Sequence, residues 1–255
     1  MRKKTIVDGL EISYIEEGEG RPVLLLHGWG CNGGHWNAVI EGLKADHRVV
    51  APDIPGFGES EEPPETWTTA DFADFFEHFL AAIEMQDPVI IGHSNGGRIS
   101  MMLASRSLAR KVILTDSAGI KPHHSASYYA KVYSYKAMKK ALSLPLLRDK
   151  KEAILDKYRG KTGSADYNAA SPGMRRIMST VLGEDFIPVL KQIKVPTLLV
   201  WGSEDTATPL SDGETMESVL KENGVDTALI VFEGRSHFAY LEECPRFISI
   251  CKAFI

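Results

Sequence analysis

The stretch Pro88-Val89-Ile90-Ile91-Gly92-His93-Ser94-Asn95-Gly96-Gly97-Arg98-Ile99-Ser100 decides the fold. Its first four residues are apolar throughout, as in a strand buried on both faces of a parallel sheet. Gly92-His93-Ser94-Asn95-Gly96 matches G-x-S-x-G, and a helical pattern follows from about Gly96 to Arg106. That is the strand–turn–helix setting the motif requires. The reason is steric. So sharp a turn puts Ser94 at a strained backbone angle, and its neighbours Gly92 and Gly96 must be small. The turn lifts the Ser94 hydroxyl above the sheet and aims the N–H groups of a helix start at whatever that hydroxyl attacks. Alone, the match arises often by chance and equally describes a glycine-rich turn with an idle serine.

Similar short apolar runs occur on both sides of it: Pro22 to His27, Arg48 to Ala51, Val112 to Leu114, Thr197 to Val200 and Ala228 to Phe232. At the N-terminus Thr5-Ile6-Val7 and Leu10 to Ile15 flank Asp8-Gly9, a hairpin signal. Leu10, Ile12 and Tyr14 alternate with Glu11 and Ser13, the pattern of a half-buried strand. Between the runs lie helical patterns. One opens at Thr69 and puts Phe72, Phe75, Phe76, Phe79, Leu80 and Ile83 on one face. Others span about Ser211 to Glu222, stopped by Asn223-Gly224, and about Pro245 to Phe254. Strands alternating with helices predict an α/β fold, a parallel sheet with helices on both faces.

The alternation breaks between about Gly119 and Phe186. Helical stretches are expected there at Tyr128 to Leu142 and Lys150 to Tyr158. Residues 121–185 hold 13 basic and 6 acidic residues in a chain of net charge −5. This compositional island predicts an inserted helical subdomain. Its charge is either that of solvated helix faces or a basic cover that draws in an anionic substrate.

With 44% hydrophobic, 9% aromatic and 25% charged residues in 255, the chain is neither disordered nor fibrous. Its mild acidity argues against general nucleic-acid binding. Cys31, Cys244 and Cys251 are too few and too far apart for a disulfide framework or a zinc cluster. Cys244 and Cys251 are expected to pack rather than react. No run approaches the ~20 apolar residues of a membrane span, so no membrane insertion is expected. Asp8, Glu11, Glu16 and Glu17 follow Met1-Arg2-Lys3-Lys4 too soon for a signal peptide. The expectation is a soluble cytoplasmic protein.

A serine hydroxyl needs a base, and the base needs a carboxylate to orient it. Both occur in the chain order serine, acid, histidine. Asp205, in Trp201-Gly202-Ser203-Glu204-Asp205, follows the Thr197 run. His237, in Gly234-Arg235-Ser236-His237-Phe238, follows the Ala228 run. Ligand chemistry in such sheets gathers at the carboxyl ends of strands. Asp116, after the Val112 run, is a second candidate acid, and Glu204 a lesser one. His47, His78, His123 and His124 read as surface or packing residues. The side chain of His93 is expected to point away from Ser94. His27-Gly28-Trp29-Gly30 follows the Pro22 run and offers, with the N–H of Asn95, a second oxyanion donor in the N–H of Trp29. His27 itself reads as structural. The same loop, Gly28-Trp29-Gly30-Cys31-Asn32-Gly33, matches G-x-G-x-x-G, with Asp53 about 20 residues on, the spacing of a dinucleotide-binding fingerprint. That reading makes Gly33-Gly34 the weak first turn of a helix and leaves Ser94, Asp205 and His237 unused. Asp53 reads instead as the start of a rigid loop, Asp53 to Ser60, that buttresses the site.

Taken together, His27 to Gly30, Asp53 to Ser60, Gly92 to Gly97, Trp201 to Asp205 and Gly234 to Phe238 resemble the α/β-hydrolase fold superfamily over nearly the whole chain. The resemblance implies a mostly parallel, eight-stranded type of sheet flanked by helices, with a helical cap inserted after the sixth strand. The core is then 1–119 and 186–255 and the cap 120–185. It implies a cofactor-independent, metal-free serine hydrolase of carboxylesterase type, with Ser94, His237 and Asp205 as catalytic residues and a small acyl compound as its partner. Tyr128, Tyr129, Tyr133, Leu144, Leu146 and Met178 are then candidates to line the substrate pocket with Phe238, or to form the cap's own core. Haloalkane dehalogenases and epoxide hydrolases of this fold carry an aspartate where Ser94 stands. Carbon–carbon bond hydrolases tend to have a longer glycine-rich loop and a tryptophan where Phe238 stands. These, cofactor-free haloperoxidase-like members and a non-catalytic small-molecule receptor are the alternatives.

Overall fold

A computed structural model of the chain describes residues 1–121 and 165–255, with Ser134 between them. Eight strands form one sheet: β1 (Arg2–Val7), β2 (Leu10–Glu17), β3 (Arg21–Leu26), β4 (His47–Pro52), β5 (Val89–His93), β6 (Lys111–Thr115), β7 (Thr197–Gly202) and β8 (Thr227–Phe232). Their order is β1-β2-β4-β3-β5-β6-β7-β8. The pairs β1–β2 and β2–β4 are antiparallel, and every pair from β4 to β8 is parallel. The first hairpin turns on Asp8 and Gly9, both at positive φ (49° and 83°), as the Asp-Gly signal requires.

Among the described residues the helices are α1 (Asn37–Leu43), α2 (Thr69–Ala82), α3 (Asn95–Ser105), α4 (Ala165–Ala169), α5 (Pro172–Val181), α6 (Ile187–Leu190), α7 (Leu210–Glu222), α8 (Ala239–Glu242) and α9 (Cys244–Phe254). The central strands are apolar on both faces because both faces are covered. On β3, Leu24 and Leu26 join the cluster that holds Phe72, Phe76 and Phe79 of α2 and Ile99 of α3. Val23 and Leu25 join the opposite cluster, with Val39 and Ile40 of α1 and Phe247 and Cys251 of α9. Helix α2 starts at the residue expected, fixed by a reciprocal cap between Thr68 and Asp71. Cys251 is buried and Cys244 partly so, as packing residues.

The structure departs from the sequence reading in two places outside the site. Ser13, on the polar side of the β2 alternation, is fully buried. The Asp53–Ser60 loop folds over it: the Ser13 N–H donates to Ser60 Oγ, and its hydroxyl accepts from Arg2. A helical turn also opens where two glycines were expected to weaken it. Gly33–Trp36 is a 3₁₀ turn leading into α1. The Asn32 side chain caps Gly34, and Trp36 is fully buried with its ring 4.4 Å from that of Tyr240. Capping and burial outweigh propensity there.

Helices α4 and α5 lie between β6 and β7, after the sixth strand, where helical structure was expected. Met174, Ile177 and Val181 of α5 are buried in the main core, and Glu184 accepts from the backbone and side chain of Thr69 at the start of α2. The helices expected at Tyr128 to Leu142 and Lys150 to Tyr158 lie outside the described residues. Among those described, no helix is long and apolar enough to cross a membrane.

Candidate active site

The loops after β3, β5, β7 and β8 meet at the carboxyl end of the sheet. Ser94 sits between β5 and α3 at φ 51°, ψ −116°, a conformation L residues rarely adopt. Its carbonyl accepts from the N–H groups of Gly97 (3.0 Å) and Ala118 (3.1 Å), which latch the turn. The glycines around it are sterically required. A Cβ on Gly96 would stand 2.2 Å from the carbonyl oxygen of Leu26, and one on Gly28 would stand 2.7 Å from His93 Nδ1 and 3.1 Å from Ser94 Cβ. The loop after β3 is therefore packed directly against the serine turn.

His237 Nε2 lies 3.0 Å from Ser94 Oγ, and Nδ1 lies 2.8 Å from Asp205 Oδ2. The carboxylate is acceptor-only, so Nδ1 carries the proton and Nε2 accepts from the serine hydroxyl. Asp205 is held by its own loop. The N–H groups of Ala207 (2.7 Å) and Thr208 (3.0 Å) donate to Oδ1, and the Thr208 hydroxyl lies 2.7 Å from Oδ2. Burial alone would raise its pKa, but hydrogen bonds from His237 and from the Thr208 side chain and backbone reverse this and hold it below the ordinary value.

Asp116, the second candidate acid, is fully buried and does not meet His237. Its Oδ1 accepts from the Gly202 N–H (2.8 Å), and burial pushes its pKa up to about 7. Glu204 is exposed. The His93 side chain, expected to point away from Ser94, makes no hydrogen bond to it and meets the loop of His237 instead. His93 Nε2 donates to the carbonyl of His237 (2.8 Å), and the two rings lie 4.8 Å apart. Burial lowers its pKa to about 3, so it stays neutral and supports the loop that carries His237. His27 is structural, as read: the Ile54 N–H donates to its Nε2 (2.9 Å), and burial lowers its pKa to about 4. His78 is exposed beside Asp8, and His47 is half-buried.

Asp53 is buried and committed on both oxygens, to the N–H of Gly33 (2.7 Å) and to Arg2 (2.6 Å) and the N–H of Glu59 (2.9 Å). It ties the β3 loop to the Asp53–Ser60 loop, the buttressing role read from sequence. A ribose hydroxyl would have to displace these partners, so the residue does not fit the dinucleotide fingerprint.

A cavity of about 500 Å³ opens beside Ser94 and His237. Trp29 and Asn95 line it, as do Met178 and Phe238. Asn95 is the first residue of α3, so helix geometry leaves its N–H without an intrahelical acceptor. Tyr128, Tyr129, Tyr133, Leu144 and Leu146 lie outside the described residues. The cavity also holds residues the sequence reading missed: His35, Arg98, Ile120, Val181, Leu182, Thr208 and Asp212. Arg98 was discoverable, since it follows Ser94 by four residues and so shares its helix face. Asp212 carried no such signal.

Comparison with known proteins agrees with this fold. The profile described as "Alpha/beta hydrolase family" matches residues 23–249. The 2-hydroxymuconate semialdehyde hydrolase of Pseudomonas sp. (strain CF600) is 26% identical over 99% of this chain and 93% of that protein. The pimeloyl-[acyl-carrier protein] methyl ester esterase of Legionella pneumophila (strain Lens) is 27% identical over 96% of this chain and 100% of that protein. A solved membrane phospholipase A, described as a bacterial virulence factor, superposes with TM-score 0.77 at 27% identity, over 100% of this chain and 85% of that one. The chain belongs to the α/β hydrolase family. It is a hydrolase with a small-molecule substrate, built on the fold that the loops after its strands indicated.

Proposed function

We propose that the chain is a serine hydrolase of carboxylesterase type, acting on a small or medium ester, thioester or related acyl compound. The observation that carries this is the continuous hydrogen-bonded chain Ser94–His237–Asp205, at 3.0 and 2.8 Å, on a strained turn facing a cavity. In this reading the Ser94 hydroxyl attacks the carbonyl carbon as His237 Nε2 takes its proton. The Trp29 and Asn95 N–H groups hold the negative oxygen that develops. His237 then returns the proton to the leaving alcohol or thiol, leaving an acyl group on Ser94. Water, deprotonated by the same imidazole, attacks that ester and releases the acid. Asp205 fixes the tautomer and stabilises the imidazolium throughout.

The likeness to an acyl methyl ester esterase and a phospholipase supports ester chemistry. The likeness to 2-hydroxymuconate semialdehyde hydrolase carries a second reading, a carbon–carbon bond hydrolase using the same serine. The first reading takes 120–185 as a cap over a core of 1–119 and 186–255, and the cytoplasm as the compartment. Its test is hydrolysis of p-nitrophenyl esters of increasing chain length by wild type, Ser94→Ala and His237→Ala. Turnover by wild type that both variants lose supports it. A folded wild type that cleaves ring-cleavage products but no ester transfers support to the second reading.

A further inference from the structure

Arg98 is the charged side chain of the site that its surroundings leave unanswered. It is 3% exposed, lines the cavity that holds Ser94 and His237, and forms no hydrogen bond or ion pair among the described residues. Its Nη1 is buried without a partner. Buried charges are ordinarily paired, because desolvation penalises them heavily otherwise. The neighbours do not supply the pairing. Phe186 offers its ring face, 5.4 Å from the guanidinium carbon. Glu184 lies close enough to act on Arg98 electrostatically, but it accepts from the backbone and hydroxyl of Thr69. Asp212 lines the same cavity and also acts on Arg98 electrostatically, but neither hydrogen-bonds nor ion-pairs with it, and burial raises its pKa. Burial brings Arg98 itself down to about 10, which keeps it cationic at neutral pH.

We propose that Arg98 is a specificity residue that binds a carboxylate of the substrate, so that the preferred acyl compound is a monoanion. This rests on the serine-hydrolase reading above. A planar guanidinium matches the two oxygens of a carboxylate. Arg98 follows Ser94 by four residues at the start of α3, and both line the one cavity, so an anion held by Arg98 belongs to the same substrate that Ser94 attacks. One guanidinium, with Glu184 and Asp212 near enough to act on it electrostatically, suits a monoanion better than a dianionic phosphate.

The test compares matched esters. p-Nitrophenyl hemiglutarate and p-nitrophenyl valerate differ by a carboxylate on the acyl side, and 4-acetoxybenzoate and phenyl acetate differ by one on the alcohol side. Wild type is expected to favour the anionic member of one pair in kcat/KM by about 10- to 100-fold, the range of a hydrogen bond to a charged group. The preference lies mainly in KM. Arg98→Gln abolishes it, and Arg98→Lys retains part of it. No preference in either pair overturns the proposal. So does a preference that Arg98→Gln leaves intact while hydrolysis still depends on Ser94; the hydrolase reading then survives. Should Arg98→Gln fail to fold, inhibition of wild-type valerate-ester hydrolysis by monomethyl glutarate decides. Competitive inhibition supports the assignment, and its absence overturns it. No turnover of any ester, with no fluorophosphonate label on Ser94, overturns both readings together.

Discussion

Asp116 follows β6 and Asp205 follows β7, its neighbour in the sheet. Both side chains are buried, and both stand at the carboxyl end where the site forms. Their surroundings differ in what they donate. Asp205 faces two backbone N–H groups of its own loop, a threonine hydroxyl and the imidazole of His237. Asp116 receives the Gly202 N–H and a longer bond from Thr115. Burial acts on both, but only at Asp205 do the donors overcome it: that carboxyl is held low, while Asp116 rises to about 7. Of the two acids, Asp205 is the one that meets His237, and it stands in a loop that feeds it hydrogen bonds, so position at a strand end does not suffice.

The sharpest way to break the comparison is to neutralise each acid in turn. Asp205→Asn is expected to lower kcat on a p-nitrophenyl ester by about 10⁴-fold, since an amide favours the wrong imidazole tautomer. Asp116→Asn is expected to cost less than about tenfold, because it holds a backbone N–H and does not touch His237. Comparable losses in both variants would remove the distinction.

Next is the pH dependence of stability. A carboxyl whose folded pKa is raised binds more protons folded than unfolded between the two values. Stability from Asp116 therefore falls as pH rises from about 4 to about 7. The span corresponds to about 4 kcal/mol at most. Urea unfolding of wild type and Asp116→Asn across this window is expected to show the variant gaining stability relative to wild type as pH rises. A constant difference would show Asp116 to be unperturbed. A far smaller effect than that of Asp205→Asn belongs to Thr208→Val, which removes one donor from Asp205 and leaves the backbone donors in place. About a tenfold fall in kcat/KM is expected in ester hydrolysis, and no change would show that the backbone alone holds the acid.

The same contrast explains what could be read from sequence. The strands were legible because β3, β5 and β7 are buried on both faces and read as unbroken apolar runs. Ser94, Asp205 and His237 were legible because each ends such a run. The choice of Asp205 over Asp116 came from the resemblance and not from the runs, since both acids follow one and the donors that separate them, Thr208 and the Ala207 N–H, depend on loop conformation. His93 was named only as the neighbour of Ser94, and Arg98 was missed. One meets the loop of His237 and the other a cavity lined in part by Met178 and Val181 of α5, contacts made by residues far apart in the chain. The helix start at Gly33 was hidden for the opposite reason: local propensity argued against it, and burial of Trp36 prevailed.

The central claim is that Ser94, activated by His237 and Asp205, is the nucleophile. It is tested most directly by reaction with a fluorophosphonate and mass spectrometry of the labelled peptide. The prediction is a single adduct on Ser94 in wild type and Asp116→Asn, slowed at least ~100-fold in His237→Ala and Asp205→Asn. A label on another residue, or labelling of Ser94 at the wild-type rate in both slowed variants, would contradict it.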